Sequence, residues 1–271
     1  MMIQRSSSHS LRKKYLDCCF YEIKINKPGN VSIFSPILGM DKKKFFYAAE
    51  ISSHILCNKS FSLGESIFKS CKICMRQINS NYNLGIILLC APIIRAAYEN
   101  FNSLNDFHKN ISKQLKNISS FESEQILEAI KICKPAGLKN YSGEGNLLLD
   151  ENKELGFQEI MEISSERDRI SRAYVNNFSE IFDQGLPFFR NLRKKFSKRF
   201  STECLFMYYL SSDLDSHLQR KYGMTKAMEV QKKSKIFSKK VFLKEDLKST
   251  RCLDFFDNYL KKKKNKSWNM C

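Results

Sequence analysis

The sequence predicts an all-α fold: a single globular, multi-helix, bundle-like domain with a glycine-containing active-site loop. Two observations predict it. Apolar residues recur at steps of three and four along most of the 271 residues, the period of a helix buried on one face. Turn formers are scarce, with 10 glycines and 5 prolines, so neither a strand-rich fold with many tight turns nor a linker-joined array is suggested. The expected organisation is an all-α catalytic domain over residues 1–240, followed by a basic C-terminal helix and tail over residues 241–271.

The elements follow in order. Residues 11–24 read as a helix burying Leu16, Cys19, Phe20 and Ile23, stopped before Pro28-Gly29. Lys27-Pro28-Gly29-Asn30-Val31 is then either an ordinary turn or a place where glycine lets backbone amides approach a phosphate. Asp41 can cap a helix to about His54, and Ser62-Leu63-Gly64-Glu65 opens another that continues to Ile78. The polar cluster 79–83 precedes an apolar helix beginning Leu84-Gly85-Ile86, which should be central and buried. Its N-terminus either points Asn81 and Asn83 at a site or is simply capped by Asn83. Residues 102–116 and 121–132 give two further helices, with His108 on a polar face.

The longest irregular segment, from Pro135 through Gly137, Gly143 and Gly145 to Asp150, reads as an active-site loop or lid. It leads into the densest charge cluster. Ile160, Ile163, Ile170, Tyr174, Phe178 and Ile181 keep the period of one long helix, and Arg167 falls within that stripe, where a guanidinium needs an anionic partner. Asp168 lies at the stripe's edge. Glu166 and Arg169 read as a solvated pair worth a few tenths of a kcal/mol.

Gly185-Leu186-Pro187 should break that helix. A basic stretch (190–199) and an apolar helix (204–210) follow. Residues 211–223 read as a short helix that a Ser or Asp starts and Gly223 ends, with Arg220 and Lys221 complementing its C-terminal dipole and Asp215 sharing a side with Leu218 and Tyr222. Beyond Thr225 helical turns alternate with lysines, and residues 261–271 read as a frayed tail.

A formal net charge of +18 favours anionic partners, much of it from residues 232–240 and 261–264. The same lysines support a competing reading, a non-catalytic basic helical protein that binds nucleic acid. No helix-turn-helix, zinc-finger or RNA-binding signature accompanies them, so a polynucleotide is not the expected partner. The 10 cysteines read as reduced intracellular thiols, and Cys71/Cys74 lack a second pair for zinc. With no signal-like segment and no apolar run long enough to span a bilayer, a cytoplasmic protein is expected.

Taken in series, Lys27-Pro28-Gly29-Asn30-Val31, Asn83-Leu84-Gly85-Ile86, Pro135-Ala136-Gly137-Leu138, Glu166-Arg167-Asp168-Arg169-Ile170 with Tyr174, and Asp215-Ser216-His217 with Arg220-Lys221-Tyr222-Gly223 resemble the triphosphoribosyl-dephospho-CoA synthase family. The resemblance implies an all-α enzyme in which the ribose 2'-hydroxyl of 3'-dephospho-CoA attacks the anomeric carbon of ATP, expelling adenine and retaining the triphosphate. It implies ATP as substrate and Mg²⁺ as cofactor. It assigns Asp168 or Asp215 as base or Mg²⁺ ligand and His217 as proton donor to adenine. Arg167, Arg172, Arg220 and Lys221 would hold phosphates, and Lys27, Gly29, Asn30, Asn83, Gly85 and Gly137 would shape the nucleotide pocket. Three features depart from the pattern: Asn81-Tyr82-Asn83-Leu84-Gly85 stands where the citrate-lyase branch resembles Asn-Thr-His-Lys-Gly, Ala136 replaces a glycine, and Asn146 replaces an aspartate. The acceptor therefore stays open to a related alcohol, such as another nucleotide or a pterin-like one.

Overall fold

Helices account for the regular structure of the described residues, as the apolar period requires. The computed structural model describes residues 6–37, 40–135, 146, 155–242 and 244–267, with the side chains of 263–267 left aside. Its α-helices are α1 (Ser8–Lys24), α2 (Lys42–Leu56), α3 (Leu63–Ile78), α4 (Leu84–Ala96), α5 (Leu104–Lys116), α6 (Ser120–Cys133) and α7 (Phe157–Ser164). They continue with α8 (Arg169–Val175), α9 (Leu186–Arg193), α10 (Lys198–Ser212), α11 (Ser216–Tyr222), α12 (Met224–Val241) and α13 (Leu247–Ser267). A π-helical turn, Glu180–Gly185, precedes α9. Among the described residues no helix is long and apolar enough to cross a membrane. Of the expected lid only Pro135 and the buried Asn146 are among the described residues; Gly137, Gly143 and Gly145 lie outside them.

Packing divides the chain into two compact units. The first comprises Met1–Cys19 and Lys43–Glu180, the second Phe20–Lys42 and Ile181–Cys271, so the boundaries fall inside α1, at the start of α2 and at the π-helical turn. In the first unit α3 and α6 pack most intimately. Ser62 and Glu65 exchange side-chain and backbone bonds as a capping box, as the sequence suggested. Gly64 lies so close to α6 that a Cβ there would fall 2.6 Å from Glu122 Cα. Helix α4 is the buried centre, with Ile87 and Ala91 fully enclosed. Near its far end Arg95, 7% exposed, donates from Nη1 and Nη2 to the carbonyls of Leu56, Asn58, Lys59 and Phe61, so the backbone at and after the end of α2 satisfies both terminal nitrogens of the buried guanidinium.

The second unit has its core on α10, α12 and α13, where Phe200, Cys204, Met207, Val230, Val241, Leu253, Phe256 and Leu260 pack together. The rings of Phe237 and Phe256 stack with centroids 4.5 Å apart. Two sequence expectations change here. The region beyond residue 240 is part of this core through Leu253, Phe256 and Leu260, and helix α13 runs through Lys261 to Ser267 where a tail was expected. Gly185 also does not break the chain. It keeps right-handed helical angles (φ −63°, ψ −46°), and its bare Cα accommodates Tyr209, whose hydroxyl would lie 1.9 Å from a Cβ.

Candidate active site

In the first unit the charge cluster of residues 164–172 is built on a break between two helices. α7 ends at Ser164, and the amides of Arg167 and Asp168 both turn back to the Ser164 carbonyl, at 3.1 and 2.9 Å. Asp168 then caps α8, its Oδ1 accepting from Ile170 N at 2.8 Å and Ser171 N at 2.9 Å. An aspartate here competes with helix continuation and gains about 1 kcal/mol as a cap. The expected single long helix is therefore two. Arg167 is not directed inward along a stripe: its guanidinium folds back to the Ile163 carbonyl at 3.3 Å and to Ser164 Oγ at 3.4 Å, where a cation meets the unsatisfied end of α7.

Beyond α8 the backbone takes consecutive left-handed conformations at Asn177 (φ 54°) and Phe178 (φ 64°), and Phe178 is fully buried. His108, expected on a polar face, meets this turn through Nε2, 2.5 Å from the Asn177 carbonyl oxygen. The turn returns Glu180 to α8. Arg169 Nη2 donates to Glu180 Oε2 at 2.9 Å and Arg172 Nε lies 2.7 Å from Oε1, so two guanidiniums share one carboxylate that the sequence did not single out.

The start of α4 meets this segment. A Cβ on Gly85 would lie 3.2 Å from Ile170 Cδ1, and Tyr174 donates from its hydroxyl to the Leu88 carbonyl at 2.7 Å. Asn83 is 7% exposed and gives its Nδ2 to the Ala48 carbonyl and Ser52 Oγ, both at 3.2 Å. Its side chain makes no cap. Asn81 supplies that bond, its Oδ1 accepting from Leu84 N at 3.1 Å. A cavity of about 470 Å³ opens in the same unit at the end of α8 away from Asp168, lined among others by Ser119, Ser123, Phe157, Tyr174 and Asn177.

In the second unit Lys27 to Asn30 forms a type II turn. Asn30 N donates to the Lys27 carbonyl at 2.8 Å, Pro28 fixes the second position, and Gly29 supplies the positive φ (82°) required at the third. Gly29 N–H, expected to approach a phosphate, donates instead to Asp257 Oδ1 of α13 at 2.8 Å, while Asn30 is exposed. Lys27 is largely buried and paired with Glu22, and burial lowers its pKa from 10.5 to about 8. Nearby, Glu203 of α10 is 5% exposed; burial raises its carboxyl pKa, against the pull of Arg199 at 3.0 Å.

The short helix expected over residues 211–223 begins only at Ser216, because Ser211 and Ser212 belong to the end of α10. Asp215 Oδ1 caps it by accepting from Leu218 N at 2.9 Å, Arg220 and Lys221 occupy its last turn, and Gly223 ends it at φ 86°. The carboxylate expected to face inward is thus a cap. His217 and Lys221 are exposed, and Lys221 Nζ lies 5.3 Å from the Tyr222 ring centre.

Within the first unit, then, Gly85 is a neighbour of the Asp168 helix that carries Arg172, while Asn83, two residues before it, is held by α2; within the second, Lys27, Gly29 and Asn30 form one turn, and Asp215, His217, Arg220 and Lys221 one short helix. Glu180, Glu203 and Asp257 were missed. The signal for the last two was present: Glu203 sits in the apolar stripe of Phe200, Cys204 and Met207, and Asp257 in that of Leu253, Phe256 and Leu260. Among the described residues no group of three or more His, Cys, Asp or Glu side chains is arranged to hold a metal ion. Asp168 and Asp215, each fixed as a cap, suit the mode in which Mg²⁺ takes one or two carboxylates and finds its other ligands on phosphate and water.

Comparison with known proteins agrees with the resemblance read from the motifs. A solved structure from Archaeoglobus fulgidus, provisionally described as a triphosphoribosyl-dephospho-CoA synthase, shares the fold with a TM-score of 0.52 at 19% identity, covering 79% of this chain and 96% of that one. No curated protein matches the chain. The family model described as ATP:dephospho-CoA triphosphoribosyl transferase matches residues 9–269. The match spans nearly the whole sequence, and the chain belongs to the ATP:dephospho-CoA triphosphoribosyl transferase family.

Proposed function

We propose that the chain moves the 5-triphosphoribosyl group of ATP onto the 2'-hydroxyl of 3'-dephospho-CoA, or of a related alcohol, in the cytoplasm, using Asp168 or Asp215 as the base. The bond from the anomeric carbon to adenine N9 breaks, the bond from that carbon to the acceptor oxygen forms, the hydroxyl proton passes to the carboxylate, and adenine leaves with a proton from His217. A fixed carboxylate suits both tasks at that carbon, accepting the proton and steadying positive charge on the ribose.

The observation that carries this reading is the approach of Gly85 to Ile170, which joins two separate family-like motifs around the Asp168 cap. A capped carboxylate cannot swing away, so its orientation is set before substrate arrives. In the first unit Arg167 and Arg172 are assigned to phosphates, with Asn83 and Gly85 shaping the pocket. Gly137 keeps the pocket role drawn from the resemblance. In the second unit Lys27, Gly29 and Asn30 are assigned to the nucleotide, and Arg220 and Lys221 to phosphates. Mg²⁺, held by Asp168 or Asp215, would offset the negative charge of the triphosphate.

The test is adenine release from ATP and Mg²⁺ with and without 3'-dephospho-CoA, followed by mass analysis of the product. Release should require the acceptor. Asp168→Asn, which preserves the cap oxygen, should lower kcat by about a hundredfold or more while the melting temperature holds, if Asp168 is the base. A wild-type rate in this variant would pass the role to Asp215, and a wild-type rate in Asp215→Asn as well would refute the mechanism.

A further inference from the structure

We infer that Asp257, on the C-terminal helix, is a positioning residue for nucleotide binding, acting through the Lys27–Asn30 turn. The inference rests on the reading above that this turn meets ATP, and it adds α13 to the parts of the protein on which substrate binding depends.

Asp257 is 4% exposed and gathers three different donors. Oδ1 accepts from Gly29 N at 2.8 Å. Oδ2 accepts from the Ser35 hydroxyl and pairs with Lys261 Nζ at 2.9 Å. Lys261 continues the link by donating to the Ser35 carbonyl at 2.8 Å, and one turn earlier Asp254 Oδ1 accepts from Asn26 Nδ2 at 2.7 Å. Both sides of the Lys27 turn, and the segment beyond it, are thus tied to a single helix face.

The packing repeats the constraint. Gly29 lies against Leu260, where a Cβ would come within 3.0 Å of Leu260 Cδ1. The bonds that Asp254, Asp257 and Lys261 make across to this segment go to Asn26, Gly29 and Ser35, and none of those described goes to Lys27 itself. Asp257 therefore sets where the turn lies and leaves the ammonium to its own partner, Glu22. A buried carboxylate with hydrogen-bond donors on both oxygens has little freedom to move, so the turn inherits the rigidity of the helix. Lys261, on the stretch that reads as a tail, becomes the counter-charge that lets Asp257 be buried at all.

The test uses the full chain, with ATP affinity measured by calorimetry, which needs no acceptor, and KM and kcat measured by adenine release. Asp257→Ala should weaken ATP binding and raise its KM about tenfold or more, with kcat within about threefold, since the turn would bind nucleotide without touching the reacting carbon. Asp257→Asn keeps an oxygen for Gly29 N–H and should recover most of the loss. Leu253→Ala hollows the same helix away from the turn; it should lower the melting temperature and leave ATP affinity unchanged. An unchanged affinity in Asp257→Ala, or an equal loss in Leu253→Ala, overturns the proposal.

Should Asp257→Ala fail to fold, Lys261→Met takes its place, with a loss of about threefold expected and an unchanged affinity again overturning the inference. Lys27→Met run alongside separates the two levels. If it binds ATP as wild type does, the placing of this turn at the nucleotide falls, and the role of Asp257 with it. If it weakens binding while Asp257→Ala does not, only the positioning role falls.

Discussion

Lys27 offers the sharpest quantitative test, because burial and charge conflict at one amine. Its side chain is 12% exposed, and burial brings its pKa from 10.5 down to about 8. The unfolded chain keeps the ordinary value near 10.4, so between roughly pH 8 and 10.5 the unfolded state holds a proton that the folded state has released, and stability rises with pH across that window. Below it the charged amine costs the fold about 3 kcal/mol, the energy equivalent of the gap between the two values. Lys27→Met removes that cost, and Glu22, 45% exposed, loses little when its partner goes.

Urea denaturation of both proteins should therefore find Lys27→Met more stable by up to ~3 kcal/mol at about pH 6, and by only ~1 kcal/mol at about pH 9.5. A difference that stays constant between those conditions would refute the argument, since it would mean that the amine titrates normally in the fold. The same proton should appear in catalysis. If Lys27 meets the triphosphate as an ammonium, kcat/KM for ATP falls as pH rises through about 8, and that limb vanishes in Lys27→Met.

Two further outcomes follow from packing. Gly64→Ala should destabilise by roughly 1–2 kcal/mol in a chemical melt, because the added methyl meets the α6 backbone at Glu122, which cannot rotate aside, and this outweighs alanine's better helix propensity. Arg95→Met should cost about 2–4 kcal/mol at similar side-chain volume, because it strands the carbonyls of Leu56, Asn58, Lys59 and Phe61; a loss below about 1 kcal/mol would show that water replaces the guanidinium.

Local chemistry was what the sequence made legible. The box of Ser62 and Glu65 and the stop of α11 at Gly223 use partners within four residues and were readable, whereas several Ser and Asp residues between 211 and 216 left its start at Asp215 open. The break at Ser164–Asp168 was harder. Ile160, Ile163, Ile170 and Tyr174 stay in helical phase across it, so apolar spacing argued for one helix while the capping bonds of Asp168 ended it. Nothing in the sequence marks Phe178 for a left-handed backbone; its burial imposes that conformation.

The candidate site divides along the same line. Motif order and residue types identified the turn at Lys27 and the helices bearing Asp168 and Asp215. The partners that hold them, Glu180 and Asp257, come from the fold. Gly29 and Asp257 are 228 positions apart, beyond the reach of any local pattern.

That separation also sets an order of events during synthesis. At ordinary elongation rates roughly 10–45 s pass between the emergence of Gly29 and that of Asp257. Residues 43–180 can collapse in the interval, whereas the Lys27 turn must wait with its amide and ammonium in water. Closing so long a loop then costs about 5 kcal/mol of chain entropy, which the burial of α13 has to offset. Nucleotide-binding competence would thus arrive late and all at once, with the docking of one helix.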